Sequence, residues 1–446
     1  MPPAPVTRET DVQRPSRVAG FVVTTLALAT FGPYLWESIR TEQAAVYGLF
    51  LLMLPLVFSR FRPHGGLRFF IPWALYIVIA TLGVIAPSAG EMPYEAGSFL
   101  GGMDNVLAPL ALMFLIWSVV PEHDAERLLK RFAKIVAVAM AVNGAIAVLS
   151  TRVDVAAFMR PFWASEDSTT TADLAAQLGR YSGIFNLPSE AGALYGVAGL
   201  GAIYAWNNRP VLVALLVTLM TLGGLISVSK VFIFGGLPAI VLYWFWSQRG
   251  GRKVAAIFGL VLIALGVLQS GVFAEWTGAN YLGRLFVTSG NQGFLELYSA
   301  GRFDTDSTFT TVIGQVLAYN PLTGVGAAGW KMPYDGAVAE ALIVGGVIGL
   351  LLLGFVTAAM FTLPRGLDKS GQWFAFMLAV VTVAGSAGFS PLTANRISTV
   401  TWVMIALLVL VARDRRHRAQ HEAAAQGTSD RTLDSRTRPQ LVAPAS

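Results

Sequence analysis

Two arginines share a local sequence pattern that suits the binding of an anionic group. Arg180 stands in GRY and Arg302 in SAGRFDTDSTF, so each follows a glycine and precedes an aromatic residue. A guanidinium group binds phosphate oxygens through paired hydrogen bonds. Arg302 also comes shortly before a predicted helix, whose free N–H groups favour anionic oxygens. We therefore predict that Arg302 lies beside a pyrophosphate cradle and that Arg180 is a second functional arginine.

The composition limits the other chemistry that the chain can perform. There is no cysteine, which excludes thiol chemistry, disulfides and cysteine-based metal sites, and the four histidines fall in loops that we predict to be cytoplasmic. We expect no metal and no cofactor. Lys230 ends the very short turn SVSK between two apolar runs, where an ammonium group is either an anchor at the lipid boundary or a phosphate ligand. Both interpretations stay open.

The elements that must position these residues are membrane-spanning helices. The chain is 54% hydrophobic and 13% charged, with a mean hydropathy of +0.59, which is typical of an integral membrane protein. Backbone N–H and C=O groups in lipid must bond within the segment, so apolar runs of this length are predicted to be helices. We predict twelve, near residues 18–36, 44–58, 69–87, 98–120, 135–150, 191–206, 211–228, 231–246, 254–272, 337–362, 373–389 and 397–412.

The placement of basic residues predicts the orientation of these spans. With both termini in the cytoplasm, twenty-three of the thirty-two Lys and Arg residues fall on the inner side. The chain is then predicted to have a cytoplasmic segment 1–17, a single transmembrane domain 18–412 with two long outer loops, 151–190 and 273–336, and a basic, disordered C-terminal tail 413–446. The arginine cluster of that tail is expected to meet anionic membrane lipids, not nucleic acid.

The second outer loop contains a predicted short amphipathic helix. Its apolar residues repeat at helical spacing, after candidate N-caps at Asp304, Thr305 and Asp306, and comprise Phe309, Val312, Ile313, Val316 and Leu317. The apolar face would rest on lipid or on neighbouring spans. The glycines of the following GVGAAGW segment either let the backbone approach a ligand or form a packed re-entrant turn. We keep both alternatives.

Three segments resemble conserved motifs of bacterial O-antigen ligases and Wzy-type O-antigen polymerases. RYSGIFNLPSEAGALY resembles the R-x-S-G-x-F-x-N-P segment, and SAGRF with NPLTGVGAAGW resembles the S-G-R…P-L-x-G-x-G segment. The run 335–349, which ends in GGVIG, resembles the H-N-x-x-L-x-x-L-x-x-x-G-x-x-G segment. Together these segments cover roughly 175–350.

The resemblance implies a GT-C-like glycosyltransferase at the outer face of the bacterial inner membrane. Such an enzyme moves a glycan from an undecaprenyl-pyrophosphate carrier to a glycan or lipid-linked acceptor, with no nucleotide sugar and no metal. A chain-length regulator is a possible further partner. The arginines of the family motifs fall on Arg180 and Arg302, which would hold the pyrophosphate. Asp335 occupies the position of the family's histidine and is a candidate general base, or alternatively a cap for the helix that begins near Ala337.

Four further residues complete the predicted site. Lys230 and Arg396 are candidates to help stabilise the departing pyrophosphate, and Tyr181 and Trp330 are candidates to stack on sugar rings or to serve as aromatic anchors at the interface. Two rival functions remain: a transporter or flippase of lipid-linked glycans, and an assembly protein of the cell envelope. Few charges lie inside the predicted spans and no repeat of one half by the other is evident, which favours the enzyme.

Overall fold

The computed structural model describes residues 16–36, 39–63, 65–85, 95–163, 170–247, 276, 278–279, 282, 307–331, 334, 336–363 and 365–437. Every regular element in these ranges is helical. In chain order the helices are α1 Arg17–Ala29, α2 Thr41–Leu52, α3 Leu54–Arg60, α4 Leu67–Ile85, α5 Phe99–Val119, α6 Ala125–Ser150, α7 Ala156–Met159, α8 Thr171–Gln177, α9 Pro188–Ala205, α10 Pro210–Ile226, α11 Leu237–Ser247, α12 Thr308–Tyr319, α13 Ala337–Thr362, α14 Lys369–Ser386 and α15 Asn395–Thr437. A π-helix, Phe232–Gly236, precedes α11.

Several of these helices are long and apolar enough to cross a membrane. Five helices within the described residues meet the criteria of length and apolar composition, namely those in 67–84, 99–119, 122–150, 337–362 and 396–423. Helices α2 and α3 meet at a bend of 62° and give a sixth span if they are counted as one. Three more apolar helices are shorter. Eleven of the twelve predicted apolar runs coincide with helices, and the run 254–272 lies outside the described residues. The chain is therefore a helical protein with the character of a membrane protein.

The core forms where apolar helices approach closely. The apolar window of α15 is 89% buried, which makes it the most enclosed of the five candidate spans, and it packs against α5 and α6. Trp402 of α15 meets Trp73 of α4 edge-on, with ring centroids 4.8 Å apart. Helices α6 and α10 pack at Gly144, where an added Cβ would lie 2.2 Å from the Leu219 carbonyl oxygen. Small residues at such contacts let helix backbones approach in the absence of a hydrophobic driving force.

The predicted outer loops meet at one end of the helical assembly, which we call the long-loop end. The Tyr34 amide donates to the Pro161 carbonyl at 2.8 Å, joining the α1–α2 connection to loop 151–190. Lys331 Nζ lies 2.6 Å from Glu95 Oε1, joining the second long loop to the α4–α5 connection. The Arg396 guanidinium donates to the Ile184 carbonyl at 2.8 Å.

The predicted inner loops meet at the opposite end, which we call the basic end. The Ser16 amide donates to the Asp124 carboxylate at 2.9 Å, so the start of α1 lies beside the start of α6. Arg415 of α15 lies 2.8 Å from Glu126 and 3.3 Å from Asp368. The chain is thus sorted into two groups of connections, as expected for helices that cross a membrane alternately.

The C-terminal part of α15 differs from the sequence prediction. The tail predicted to be disordered from residue 413 continues as helix to Thr437. Its first turns carry arginines that pair with acidic residues of the basic end, including Arg413 with Glu122 at 2.9 Å. Continuity with a buried span supplies the nucleus that an isolated polar helix lacks.

The short amphipathic helix of the second loop is present as α12. Its apolar face packs on a neighbouring helix: Val312 and Val316 are buried in a cluster with Ile343 of α13. The N-cap is Ser307, whose hydroxyl accepts from the Thr310 amide at 3.1 Å, so the prediction of a cap at 304–306 was wrong. Those three residues lie outside the described ranges.

Helix α13 contains a break at Gly346, where φ is 60° and ψ is −156°. The segment 321–327 lies against this break. The Val325 and Gly326 amides donate to the Ile343 and Val344 carbonyls at 2.8 and 3.1 Å, and the Val347 amide donates to the Pro321 carbonyl at 2.9 Å. Backbone groups released by the break are therefore satisfied by the glycine-rich segment, as membrane burial requires.

Candidate functional site

A cavity of about 500 Å³ lies at the long-loop end and is formed largely by loop 151–190. Its basic residues are Arg152 and Arg180, its acidic residues are Asp154 and Asp173, and its aromatic residues are Trp163 and Tyr181. Two residues that the sequence predicts for the site, Arg180 and Tyr181, therefore line the same cavity. Cavities of roughly 300–1,000 Å³ with a few polar groups are typical of small-molecule sites.

Arg180 is positioned by the turn that ends α8. Gly179 adopts a left-handed conformation with φ of 71°, and the Arg180 amide then donates to the Ala175 carbonyl at 2.9 Å. The half-buried guanidinium reaches the loop between α10 and α11, where Nε lies 3.4 Å from the Ser227 carbonyl oxygen and Nη2 lies 3.5 Å from that of Val228. These distances exceed the usual 2.7–3.2 Å, so both bonds are weak.

The turn that receives Arg180 contains Lys230, another predicted ligand. Val228 has φ of 45°, which is rare for a β-branched residue and marks local backbone strain. The π-helix follows directly, and such irregular helical turns are frequent at functional sites. Lys230 is half-buried in this turn, two residues after the carbonyl that Arg180 approaches. The structure thus brings Arg180, Tyr181 and Lys230 to one side of the long-loop end.

A buried asparagine, Asn143 of α6, holds the segment that follows Arg180. Its Nδ2 donates to the Ser182 carbonyl at 3.1 Å and to the Tyr195 hydroxyl at 2.7 Å, while its Oδ1 accepts from the Ile184 amide at 2.8 Å. Gly183, with φ of 65°, lies over the amide, and an added Cβ would be 2.1 Å from Oδ1. Asn143 fixes the backbone of RYSGIF against the helical core.

The acidic residues of the cavity are engaged in local structure. Asp173 accepts from the Thr170 amide and hydroxyl, both at 2.9 Å, in the capping box of α8. Asp154 accepts from the Ala156 amide at 2.9 Å at the start of α7. Within the described ranges no three His, Cys, Asp or Glu side chains converge as a metal site would require. The prediction of a metal-free site stays a prediction.

Arg396 is a buried residue at the long-loop end, with 3% of its surface exposed. Its guanidinium donates to the Ile184, Gly32 and Phe162 carbonyls at 2.8, 3.0 and 3.3 Å, and its amide donates to the Glu190 carboxylate at 3.0 Å. These contacts tie the α1–α2 connection and two parts of loop 151–190 to the start of α15. We therefore assign Arg396 to the scaffold of the site and not to the substrate.

Glu190 is the buried acid of this scaffold. It is 3% exposed and lies just before the predicted span 191–206, in the first turn of α9. Burial raises the pKa of Glu190 to about 7, against the opposing effect of the nearby Arg396 and Arg40 charges.

The second long loop approaches Arg180 at Trp276. The Trp276 indole donates a hydrogen bond to the Gly179 carbonyl, next to Arg180, and the ring is 5% exposed. Arg302 and Asp335, the two other predicted catalytic residues, lie outside the described residues.

Trp330 lies in a hydrophobic cluster with Val312, Val316 and Ile343. It is 9% exposed, and its ring meets Phe309 of α12 edge-on with centroids 5.2 Å apart. The preceding glycines form the packed re-entrant turn, since the Val325, Gly326 and Ala327 amides donate to carbonyls of α13 and α4. Of the two alternatives for this segment, the structure supports the packed turn, and we leave Trp330 outside the substrate surface.

Sequence reasoning missed Asn143 as a determinant of the site. The signal was present, since it is the one side-chain amide in the predicted span 135–150 and a polar residue within a span is functional by default. Its partners could not be inferred, because they lie 39 to 52 positions away in the chain.

The fold and the cavity together define a helical membrane protein with a cavity at one end that is lined by two arginines, two aspartates and two aromatic residues. Comparison with protein-family models finds no match to this chain, and comparison with curated proteins finds none either.

Proposed function

We propose that the protein is a membrane glycosyltransferase that polymerises or ligates undecaprenyl-pyrophosphate-linked oligosaccharide at the outer face of the bacterial inner membrane. The supporting observation is the cavity at the long-loop end, which combines Arg180, Arg152 and Tyr181 with Lys230 in the adjoining turn. Cationic and aromatic groups at one edge of a membrane suit a substrate that has a diphosphate, sugars and a lipid tail.

The proposed topology has twelve spans in a GT-C-like fold. Because the basic end carries most of the arginines and lysines, we assign it to the cytoplasm, which turns the long-loop end outward. Both termini are then cytoplasmic. The substrate would enter laterally from the outer leaflet, with its glycan in the cavity and its lipid beside the helices.

In the proposed reaction a hydroxyl of the acceptor glycan attacks the anomeric carbon of the donor. The new C–O bond forms as the bond to the pyrophosphate breaks, and its electron pair leaves with the pyrophosphate in a single inverting displacement. The acceptor proton passes to a base, for which Asp335 is our candidate. Arg180 and Arg302 stabilise the departing negative charge, and Lys230 assists.

The test is reconstitution of the full chain with a lipid-linked oligosaccharide. Removal of a group that stabilises transition-state charge lowers a rate by roughly 10²–10³-fold. We expect Arg180→Ala to lower product formation to that extent while the unfolding midpoint stays close to that of the wild type. Arg160→Ala is the matched control, because Arg160 is an exposed arginine of the same loop that does not line the cavity. Equal activity of the Arg180 and Arg160 variants would exclude this site.

The same assay addresses the residues of the second loop. We expect Arg302→Ala to resemble Arg180→Ala, since both are proposed to contact the pyrophosphate. Asp335→Asn should lower the rate and remove its acidic pH limb if Asp335 is the base. An unchanged pH profile would assign Asp335 to helix capping.

Transport of lipid-linked glycans is the alternative function, and one observation favours it. Helix α13 is discontinuous at Gly346, and transporters place broken helices at their substrate sites. Glu340, buried in the same helix, accepts a hydrogen bond from Thr393 at 2.7 Å. Translocated but unextended substrate in the reconstitution would establish transport, whereas longer or ligated glycan establishes transfer.

A further inference from the structure

A second cavity, of about 410 Å³, lies at the basic end, on the side opposite the candidate active site. It is lined by the first turns of α6, the connection between α9 and α10 and the start of α14, with Lys130, Lys134, Trp206, Arg209, Glu126 and Asp368 among its residues. None of these residues has a role in the proposed glycosyl transfer.

The two carboxylates of this cavity are already neutralised by neighbouring cations. Glu126 lies 2.7 Å from Lys130 Nζ and 2.8 Å from Arg415. Asp368 lies 3.3 Å from the same arginine and also accepts from the Gly371 amide. Each carboxylate is therefore paired with a cation. The remaining cations of the cavity lining give it a net positive charge.

Lys134 and Arg209 are those remaining cations. Among the residues that the structure describes, neither has a carboxylate within 4.0 Å. The Lys134 ammonium lies 5.6 Å from the centre of the Trp206 ring, a cation–π arrangement that orders the side chain beside the cavity. Asn207 and Asn208 add exposed amide groups between them. Two cations and two amides that line one cavity provide hydrogen-bond donors suited to phosphate oxygens.

Aromatic residues at the same end of the protein indicate that this cavity lies at the level of the lipid headgroups. Trp246 and Trp373 stack at the same end, with ring centroids 4.4 Å apart, and Trp246 is 39% exposed. Tryptophans concentrate at membrane–water interfaces, and basic pockets between spans on the inner side bind anionic headgroups.

We propose that the cavity at the basic end binds the phosphate group of an anionic phospholipid, with Lys134 and Arg209 as its cationic ligands and the Trp206 ring beside the acyl-glycerol region. The chemistry recognised is a phosphate diester. A soluble phosphate offers the same oxygens without the apolar part, and the experiment separates the two sources.

The experiment measures the unfolding midpoint of the purified full chain in mixed micelles. Phosphatidylglycerol, phosphatidylcholine and inorganic phosphate are titrated in separate series. The double variant Lys134→Gln/Arg209→Gln removes the two cations. Arg62→Gln/Arg131→Gln removes the same charge from exposed arginines of the same end that do not line the cavity.

We expect phosphatidylglycerol, but not phosphatidylcholine, to raise the midpoint of the wild type and of the control double variant. In the cavity variant the half-effective concentration of phosphatidylglycerol should rise on the order of thirtyfold, because each basic residue near a membrane surface contributes about one kcal/mol to the binding of anionic lipid. Lys134→Arg, which keeps the charge, should retain the response.

Three results decide the proposal. Equal phosphatidylglycerol responses in the cavity variant and the control variant would overturn it, as would loss of the response in both. A midpoint that rises equally with inorganic phosphate, and is lost only in the cavity variant, would keep the phosphate site and refute the lipid as its source. These outcomes are independent of glycosyl transfer, which is measured by product formation.

Discussion

Replacing Asn143 with leucine tests whether the site depends on an amide buried in α6. Asn143 is 1% exposed and makes three hydrogen bonds, two of which hold the backbone of the segment after Arg180. Leucine has a similar volume but cannot bond, so the Ser182 carbonyl, the Ile184 amide and the Tyr195 hydroxyl would lose this partner. Hydrogen bonds between helices in membranes average about 0.6 kcal/mol, and a buried group left unsatisfied costs about 1–3 kcal/mol.

These values place the expected loss of unfolding free energy for Asn143→Leu at about 2–5 kcal/mol. Thermal unfolding in detergent measures it. Asn105→Leu is the matched control, since Asn105 is a half-buried asparagine of α5 without a side-chain hydrogen bond among the described residues. Tyr195→Phe, which removes one partner, should lose less.

The functional consequence of Asn143→Leu is measured at a temperature at which the variant remains folded. Because the segment 182–184 positions Arg180, product formation should fall more than the amount of folded protein. A variant with the unfolding midpoint and the activity of Asn105→Leu would refute the role of Asn143.

Three further predictions follow from single contacts. Gly346→Ala should lower the unfolding midpoint markedly, because the φ/ψ values at this position are accessible essentially only to glycine. The new Cβ would also lie 2.5 Å from the Leu322 carbonyl carbon. Gly354→Ala is the control and should leave the midpoint unchanged, because Gly354 faces open space on the same helix. Arg396→Lys should destabilise the protein by about 2–4 kcal/mol in the same measurement, since one ammonium cannot serve three separated carbonyls. Burial raises the pKa of Glu190 from 4.5 to about 7, so its stabilising contribution, up to about 3 kcal/mol, is complete below pH 4.5 and is lost as the pH rises through 7. The wild-type midpoint should fall between pH 5 and pH 8, and Glu190→Gln should abolish that part of the fall; an equally steep fall in the variant would contradict this assignment.

The helices were predictable because the membrane imposes a simple rule on sequence. A run of apolar residues long enough to cross the hydrocarbon layer must satisfy its own backbone, so hydropathy locates helices such as α5 and α13 directly. Breaks inside a run follow from tertiary contacts and were not predicted. The bend between α2 and α3 and the opening at Gly346 both lie within single apolar runs.

The site was predictable only in part, for a related physical reason. Arg180 and Tyr181, which line the cavity, could be selected as candidates because a charged residue beside a glycine in a long loop is visible locally. Arg396 has equally visible chemistry, but its role depends on which carbonyls surround it. The GVGAAGW glycines likewise permit close approach to either a ligand or another backbone, and the position of α13 decides between these alternatives.

The contrast between Arg180 and Arg396 explains how the same side chain serves two purposes at one end of the protein. Arg396 donates two of its bonds at 2.8 and 3.0 Å and is 3% exposed, so a substrate would have to displace strong bonds inside the protein to reach it. The Arg180 guanidinium lies 3.4 and 3.5 Å from the 227–228 carbonyls and its side chain lines a cavity, from which a pyrophosphate group would offer it charged acceptors. Arg180→Lys should therefore lower activity at unchanged stability, whereas Arg396→Lys should lower both together.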